Sequence, residues 1–358
     1  MDKQKIINFI KELSNAPGAP GFEDDVLTVL RRHGDGLGEW SEDAMRNLYL
    51  RRPGQAGSKP LVMLDAHSDE VGLMIRAIRP NGTLDFVPLG GWVTANLAAQ
   101  RVLVKNDAGQ WIPGLIASKP PHFLSEAEKK QMPEITGMVI DLGASSDREI
   151  REEYRVSIAA PVVPDVSFEY QENRDIMIGK AFDCRLGCAA IIETFRQLSG
   201  ENPGVNLAGV FAAQEEVGLR GAAVAAQNVR PDIAICFEGT PADDTVAEAY
   251  SVQTAIKKGP MLRHIDAKMI TNTRFQSFAL NIAREKGIPV QEGVRTGGAT
   301  DAGIIHLMGK AVPVIVIGIP SRYIHTHYSM ASYSDFDNAV RLACEIIRAL
   351  DENTIAGF

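Results

Sequence analysis

The apolar run from Val205 to Ala213 stops at Gln214-Glu215-Glu216-Val217-Gly218, two adjacent carboxylates and then a glycine. A run of this kind reads as a buried strand, and in an α/β sheet the crevice beyond the carboxyl ends of the strands is where ligands bind. Paired acids there suit acid/base work or metal ligation. The first turn of a helix also favours negative charge, so the same pair serves equally as the solvated start of a helix over Leu219 to Asn228. Other reactive residues reaching the same edge would decide between the two.

The flanks of the chain alternate strand and helix as a doubly wound sheet does. Helical patterns cover Lys3 to Leu13 and Phe22 to Arg32, and a buried strand begins at Leu61. Later come helix Leu186 to Leu198, the Val205 strand, helix Leu219 to Asn228 and strand Asp232 to Phe237. Helix Thr273 to Lys286, strand Ile288 to Glu292, helix Asp301 to His306, strand Val312 to Ile317 and helix Asp335 to Leu350 complete the pattern. Between them the texture changes to short strand-like runs, Gly72 to Ile78, Thr83 to Val87, Gln100 to Lys105 and Glu134 to Leu142, separated by turns. The expected fold is α/β, a doubly wound mixed sheet with helices on both faces, plus an inserted small β-rich domain. Residues 1–70 and 164–358 form the main domain and 71–163 the insert.

A formal net charge of -8, with no dense Lys/Arg cluster, gives no support to a nucleic-acid surface. The N-terminus lacks a signal-peptide pattern, and Ala311 to Ile319, the longest apolar stretch, is far short of the ~20 residues a membrane span needs. The expectation is a soluble, cytoplasmic protein. Cys184, Cys188, Cys236 and Cys344 contain no CxxC pair, so neither a disulfide framework nor a cysteine zinc site is indicated. Cys184 and Cys188 read as small buried residues.

Four further acids or imidazoles stand at strand ends or turns of the flanks. His67 closes Leu61-Val62-Met63-Leu64-Asp65-Ala66-His67, Asp183 precedes a helix, Glu238 ends the strand from Asp232, and His325 follows the strand from Val312. Each has a plainer reading: a hydrogen-bonded structural histidine, a helix N-cap, a solvated turn acid. Together with Glu215-Glu216 they form a mixed nitrogen and oxygen set, which suits zinc, cobalt or manganese better than magnesium or calcium.

The ordered motifs Asp65-Ala66-His67-Ser68-Asp69-Glu70-Val71-Gly72, Phe182-Asp183-Cys184-Arg185-Leu186-Gly187-Cys188, Gln214-Glu215-Glu216-Val217-Gly218 and Arg322-Tyr323-Ile324-His325-Thr326 closely resemble the M42 family of di-metal aminopeptidases. That family includes the tetrahedral TET and the glutamyl aminopeptidases. Lys119-Pro120-Pro121-His122 and Gly297-Gly298-Ala299-Thr300-Asp301-Ala302-Gly303 extend the resemblance over nearly the whole chain. It implies two divalent metal ions per subunit, zinc first, with cobalt or manganese as alternatives. His67, Asp183 and Glu238 would hold one ion, Asp183, Glu216 and His325 the other, with Asp183 bridging. Glu215 would be the general base, and Asp69 would orient His67. His327 and His122 have no matching ligand role and are assigned structural ones.

Two positions depart from the family pattern. Many relatives have Asp where Glu238 stands, and Asp or Asn where Cys184 follows the bridging acid. In related di-zinc peptidases that peptide bond is cis, so a cis Asp183-Cys184 bond is expected. The resemblance further implies short peptide substrates and an insert that builds dimers, and from them dodecamers. Lys257, Lys258 and Arg295 lie in loops that could border a specificity pocket, where a cation would favour N-terminal Glu or Asp; solvated surface charges are the plainer reading. Two rival readings are a glycosidase using Glu215 and a second carboxylate, which leaves His67, Asp183 and His325 without work, and a non-catalytic assembly module, which would show a lost base or ligand.

Overall fold

A computed structural model describes residues 2–52, 59–127, 130–131 and 134–358. Helices α1 (Lys3–Asn15) and α2 (Asp24–His33) lead into strands β1 (Glu39–Glu42), β2 (Leu48–Arg51) and β3 (Leu61–His67). A closed six-stranded barrel follows, made by β4 (Gly72–Ile78), β5 (Leu84–Leu89), β6 (Arg101–Lys105), β7 (Trp111–Ala117), β8 (Val139–Asp141) and β9 (Pro161–Pro164), with the short helix α3 (Asp147–Glu149) before its last strand. The chain then returns to the main sheet through β10 (Glu169–Gln171), β11 (Ile176–Gly179), helix α4 (Phe182–Gln197), β12 (Asn206–Ala212), α5 (Arg220–Val229) and β13 (Ile233–Pro241). It continues with β14 (Met261–Ile265), α6 (Thr273–Glu285), β15 (Gln291–Val294), α7 (Ala302–Ile305), β16 (Val314–Arg322), β17 (Ser329–Ser332), α8 (Tyr333–Ala349) and α9 (Glu352–Ala356).

Four parallel strands in the order β12-β3-β13-β16 form the centre of the eleven-stranded sheet, with antiparallel strands at both sides. The burial pattern explains why. β3, β12, β13 and β16 are buried over almost their whole length, as strands covered on both faces must be. One face carries Phe9, Leu30, Ile191, Phe195, Phe275 and Phe336 from α1, α2, α4, α6 and α8. The other carries the alanine-rich α5 and the short α7. Barrel strands instead alternate, as in β6, where Val102 and Val104 point inward between more exposed neighbours.

The central strands run further than their apolar stretches predict. β13 continues past Glu238 to Pro241 because β16 continues beside it to Arg322, giving Gly239, Thr240 and Pro241 backbone partners. Glu238 therefore lies inside a strand and not at its end. Gly239 makes this possible: a Cβ there would come within 2.5 Å of the Asp183 Cα. The expected strand Glu134 to Leu142 shrinks to β8, and β14 and β17 were not foreseen. β14 carries Arg263 and His264 and β17 is Ser-Met-Ala-Ser, so neither has an apolar run to announce it. Among the described residues no helix is long and apolar enough to cross a membrane.

Candidate metal centre

All the acids and imidazoles expected at the sheet edge come together there. His67 is the last residue of β3, level with Ala212 at the end of β12. Glu215 and Glu216 follow in the turn after β12, and Glu238 projects from β13. Asp183 enters α4 at non-helical φ/ψ, and its peptide bond to Cys184 is cis, as expected. Regular helix begins only at Arg185. His325 sits in the turn after β16 at φ 59°.

Asp183 lies between the two imidazoles, one oxygen to each. Its Oδ1 is 3.2 Å from His67 Nε2, and its Oδ2 is 3.4 Å from His325 Nε2. His67 Nε2 also lies 3.4 Å from Glu238 and 3.8 Å from Glu215, while His325 Nε2 is 3.6 Å from Glu216. Donor atoms of His67, Asp183, Cys184 and Glu238 form one cluster within 4.8 Å of one another, those of Asp183, Glu216 and His325 a second, and those of His67, Glu215 and Glu216 a third that overlaps both. Cys184 is the weak member of the first set. Its thiol donates to the Phe237 carbonyl at 3.2 Å, and burial pushes its pKa well above the usual thiol range, so it stays protonated. The Cys188 thiol likewise donates to the His67 carbonyl at 3.1 Å, consistent with two buried packing residues.

The turn carrying the paired glutamates is held by four successive amides, each caught by a side-chain oxygen. Ala213 N–H donates to Asn47, Gln214 N–H to Glu23, and Glu215 and Glu216 N–H to the two oxygens of Asp69, at 2.9, 3.2, 3.0 and 3.1 Å. Asp69 therefore serves the glutamate turn as well as His67. Its buried carboxylate is committed to the glutamate turn and stands 3.5 Å from His67 Nδ1, while its backbone carbonyl is closer, at 3.1 Å. Asp69 thus places three residues of the cluster. Glu23 and Asn47 carry no signal in the sequence, since their contacts arise only when α2 and β2 pack beside β12.

Electrostatics at the site are those of a buried excess of negative charge. Burial raises the Glu215 carboxyl well above its ordinary range, partly opposed by His67 and reinforced by Glu238, Glu216 and Asp69. Glu216 rises to about 8, through burial and then the Asp183 charge, against the pull of His325. Burial and the charge of Asp183 bring Glu238 to about 7. Asp183 goes the other way: burial opposes it, but hydrogen bonds from His325 and His67 hold its carboxyl well below the usual range. Burial also opposes protonation of His67, and its carboxylate neighbours, Glu215 foremost, outweigh that and raise it. Among the described residues no Lys or Arg makes an ion pair with Asp69, Asp183, Glu215, Glu216 or Glu238. Five carboxylates facing two imidazoles without a fixed cation is a donor set that fits divalent metal, because uncompensated buried charge is costly.

Beside the cluster a cavity of about 360 Å³ is lined by Glu215, Glu216, Glu238, Arg263, Arg295 and Ile324, among others. Arg295 borders it, against the plainer reading of a solvated surface charge, whereas Lys257 and Lys258 are exposed and outside it, as that reading has them. Arg263, on the unforeseen β14, is the cation that sequence reasoning missed. Its guanidinium is buried against Asp266 and Thr240 at 3.4 and 3.3 Å. His122 is exposed in a short turn, and His327 is buried beside Trp92, where burial pushes its pKa down to about 4. Behind His67, burial raises Asp65 to about 7 and, with the charge of Asp65, lifts Asp301 well above the carboxylate range.

The model of the family described as M42 glutamyl aminopeptidase matches residues 46–342. A TET aminopeptidase from the marine sediment archaeon Thaumarchaeota archaeon SCGC AB-539-E09 superposes with a TM-score of 0.94 at 37% identity, over 99% of both chains. The glutamyl aminopeptidase of Lactococcus lactis is 30% identical over 98% of both chains. The TET1 peptidase of Pyrococcus horikoshii, which can assemble into a tetrahedron or a large octahedral shell, superposes at 0.86 with 27% identity, over 96% of this chain and all of that one. With its fold, its ordered motifs and its matched length in agreement, this chain belongs to the M42 family of aminopeptidases.

Proposed function

We propose that the chain removes N-terminal residues from short peptides with a pair of divalent cations, zinc first and cobalt or manganese as alternatives. The observation that carries this is the placement of Asp183, one oxygen toward each imidazole, between two sets of donors. His67, Asp183 and Glu238 would hold one ion and Asp183, Glu216 and His325 the other. When bound, the ions supply positive charge that lowers the pKa of a water and polarises the scissile carbonyl.

The remaining work falls to side chains. Glu215 is the general base: its buried carboxyl stands 3.8 Å from His67 Nε2 at the centre, and neither of the two donor sets that share Asp183 needs it. It takes the proton of the attacking water and delivers it to the departing amine. The acidic surroundings favour a free α-ammonium group, which confines cleavage to the first residue. The glycosidase alternative is disfavoured because it uses two carboxyls and no metal, whereas here both imidazoles are turned into the same acidic cluster. The barrel, residues 71–163, is proposed as the dimerisation domain, and the assemblies of the Pyrococcus horikoshii relative suggest an oligomer built from such dimers.

Arg263 and Arg295, paired with Asp266 and Asp243, are the two cations among the cavity's lining residues, and on them rests the proposal that the first residue cleaved is Glu or Asp. A panel of Glu, Asp, Leu and Lys p-nitroanilides, assayed before and after dialysis against a chelator, tests both statements. The expected result is hydrolysis led by the acidic substrates and abolished by chelation. Arg263→Leu should lower kcat/KM for Glu-p-nitroanilide about 10- to 100-fold, as expected for losing a hydrogen bond to a charged group, and change Leu-p-nitroanilide little. Activity that survives complete metal removal would contradict the metal-dependent reading.

A further inference from the structure

Every donor of the centre comes from the two flanks of the chain, yet one strip of the inserted barrel lies against it. Gly90-Gly91-Trp92-Val93 leaves β5 and passes directly over the turn that carries His325. The Val93 N–H donates to the His325 carbonyl at 3.3 Å. A Cβ on Gly91 would come within 3.3 Å of His325 Nδ1, so the backbone there rests on the imidazole itself. Gly90, at φ 88°, passes as close to Glu216: a Cβ on it would stand 3.2 Å from both the Cβ and Oε2 of that residue. Trp92 anchors the strip, its Nε1–H donating to the Gly72 carbonyl at 2.9 Å and its ring lying 5.4 Å from that of His327.

His325 has particular need of such support. Both it and Tyr323 adopt left-handed φ, 59° and 62°, a conformation non-glycine residues hold when surrounding structure imposes it. Within the turn Thr326 bonds the Tyr323 carbonyl, but nothing in the turn reaches the ring of His325.

We propose that Gly90-Gly91-Trp92-Val93 is a positioning element for one half of the metal centre, fixing His325 and Glu216 so that the ion they share with Asp183 is held tightly, while the His67 half stands independently of it. This rests on the di-metal reading above. It makes the barrel part of the catalytic unit as well as a candidate interface. Side chains at 90 and 91 would crowd Val71 and Glu216 at 2.9 and 3.2 Å, and His325 at 3.3 Å, so these neighbours would have to shift. Groups that orient metal-binding imidazoles typically change affinity about 10- to 100-fold.

Two substitutions probe the strip differently. Gly91→Ala adds a methyl against the imidazole at a residue whose φ is outside the left-handed region. Val93→Pro removes the N–H that bonds His325; Val93 has φ -75°, which a proline ring accepts, and its side chain is 46% exposed. Gly137→Ala, in the same barrel with no heavy atom within 4 Å of the added carbon, is the control. Metal-free full-length protein of each variant is titrated with cobalt(II) and followed by visible absorption, with circular dichroism reporting the fold; if one variant fails to fold, the other carries the test. The expected result is one site weakened about 10- to 100-fold with altered absorption bands, the second site as in the unaltered chain, and no change in the control. Two unaltered sites in both folded variants, or equal weakening of both sites, would overturn the positioning role while leaving the di-metal reading intact. Failure of the unaltered chain to bind cobalt at all would overturn both.

Discussion

Glu215→Gln is expected to lower kcat about 10²- to 10⁴-fold, the usual contribution of a positioned general base, while bound metal stays at the level of the unaltered chain. The substitution preserves shape and one acceptor oxygen, and neither proposed donor set uses Glu215. It leaves the amide at 215 bonded to Asp69. What it removes is the carboxylate that accepts the proton. KM for a small p-nitroanilide should move little, because the loss falls on proton transfer and not on binding. A variant that kept full turnover would show that another group accepts the proton. One that lost its metal together with activity would show that Glu215 is a ligand.

Asp183→Ala is expected to have the larger effect, because it strikes both halves at once. Each proposed set would fall from three protein donors to two, below the three that catalytic zinc sites ordinarily keep. The expected outcome is loss of both ions on dialysis and a fall in turnover of at least about a thousandfold, since metal ions contribute several kcal/mol to such reactions. Glu238→Ala should by contrast spare the ion held with His325. Metal content measured on the two variants side by side separates a shared ligand from two independent ones: if Asp183→Ala retained one ion, its carboxylate would not be bridging.

The difference between what was legible in the residue order and what was not is a difference of physical range. Buried parallel strands show themselves as apolar runs, and an acid or imidazole that ends such a run is conspicuous, which is how His67, Glu215, Glu216 and His325 could be marked. Glu238 was marked at a strand's end but lies within β13, because strand length is settled by the partner strand β16. The dual hold of Asp69 on the amides of Glu215 and Glu216 depends on β3 and β12 ending level with one another, which no local pattern states. Arg263 stayed hidden for a related reason: a charged residue in a short strand looks like loop until β14 is seen paired against β16. The insert showed its β texture through turns and alternation, yet its contact with His325 through Gly91 and Val93 is a meeting of surfaces that no local pattern states.

The most direct test is a count of ions: purified full-length protein, equilibrated with zinc, dialysed exhaustively against metal-free buffer and analysed by plasma mass spectrometry. Two zinc ions per chain, with aminopeptidase activity lost on chelation and regained as both return, is the predicted result. A chain that holds no zinc and hydrolyses peptides equally well without it would contradict the proposal that this acidic cluster exists to bind a pair of cations.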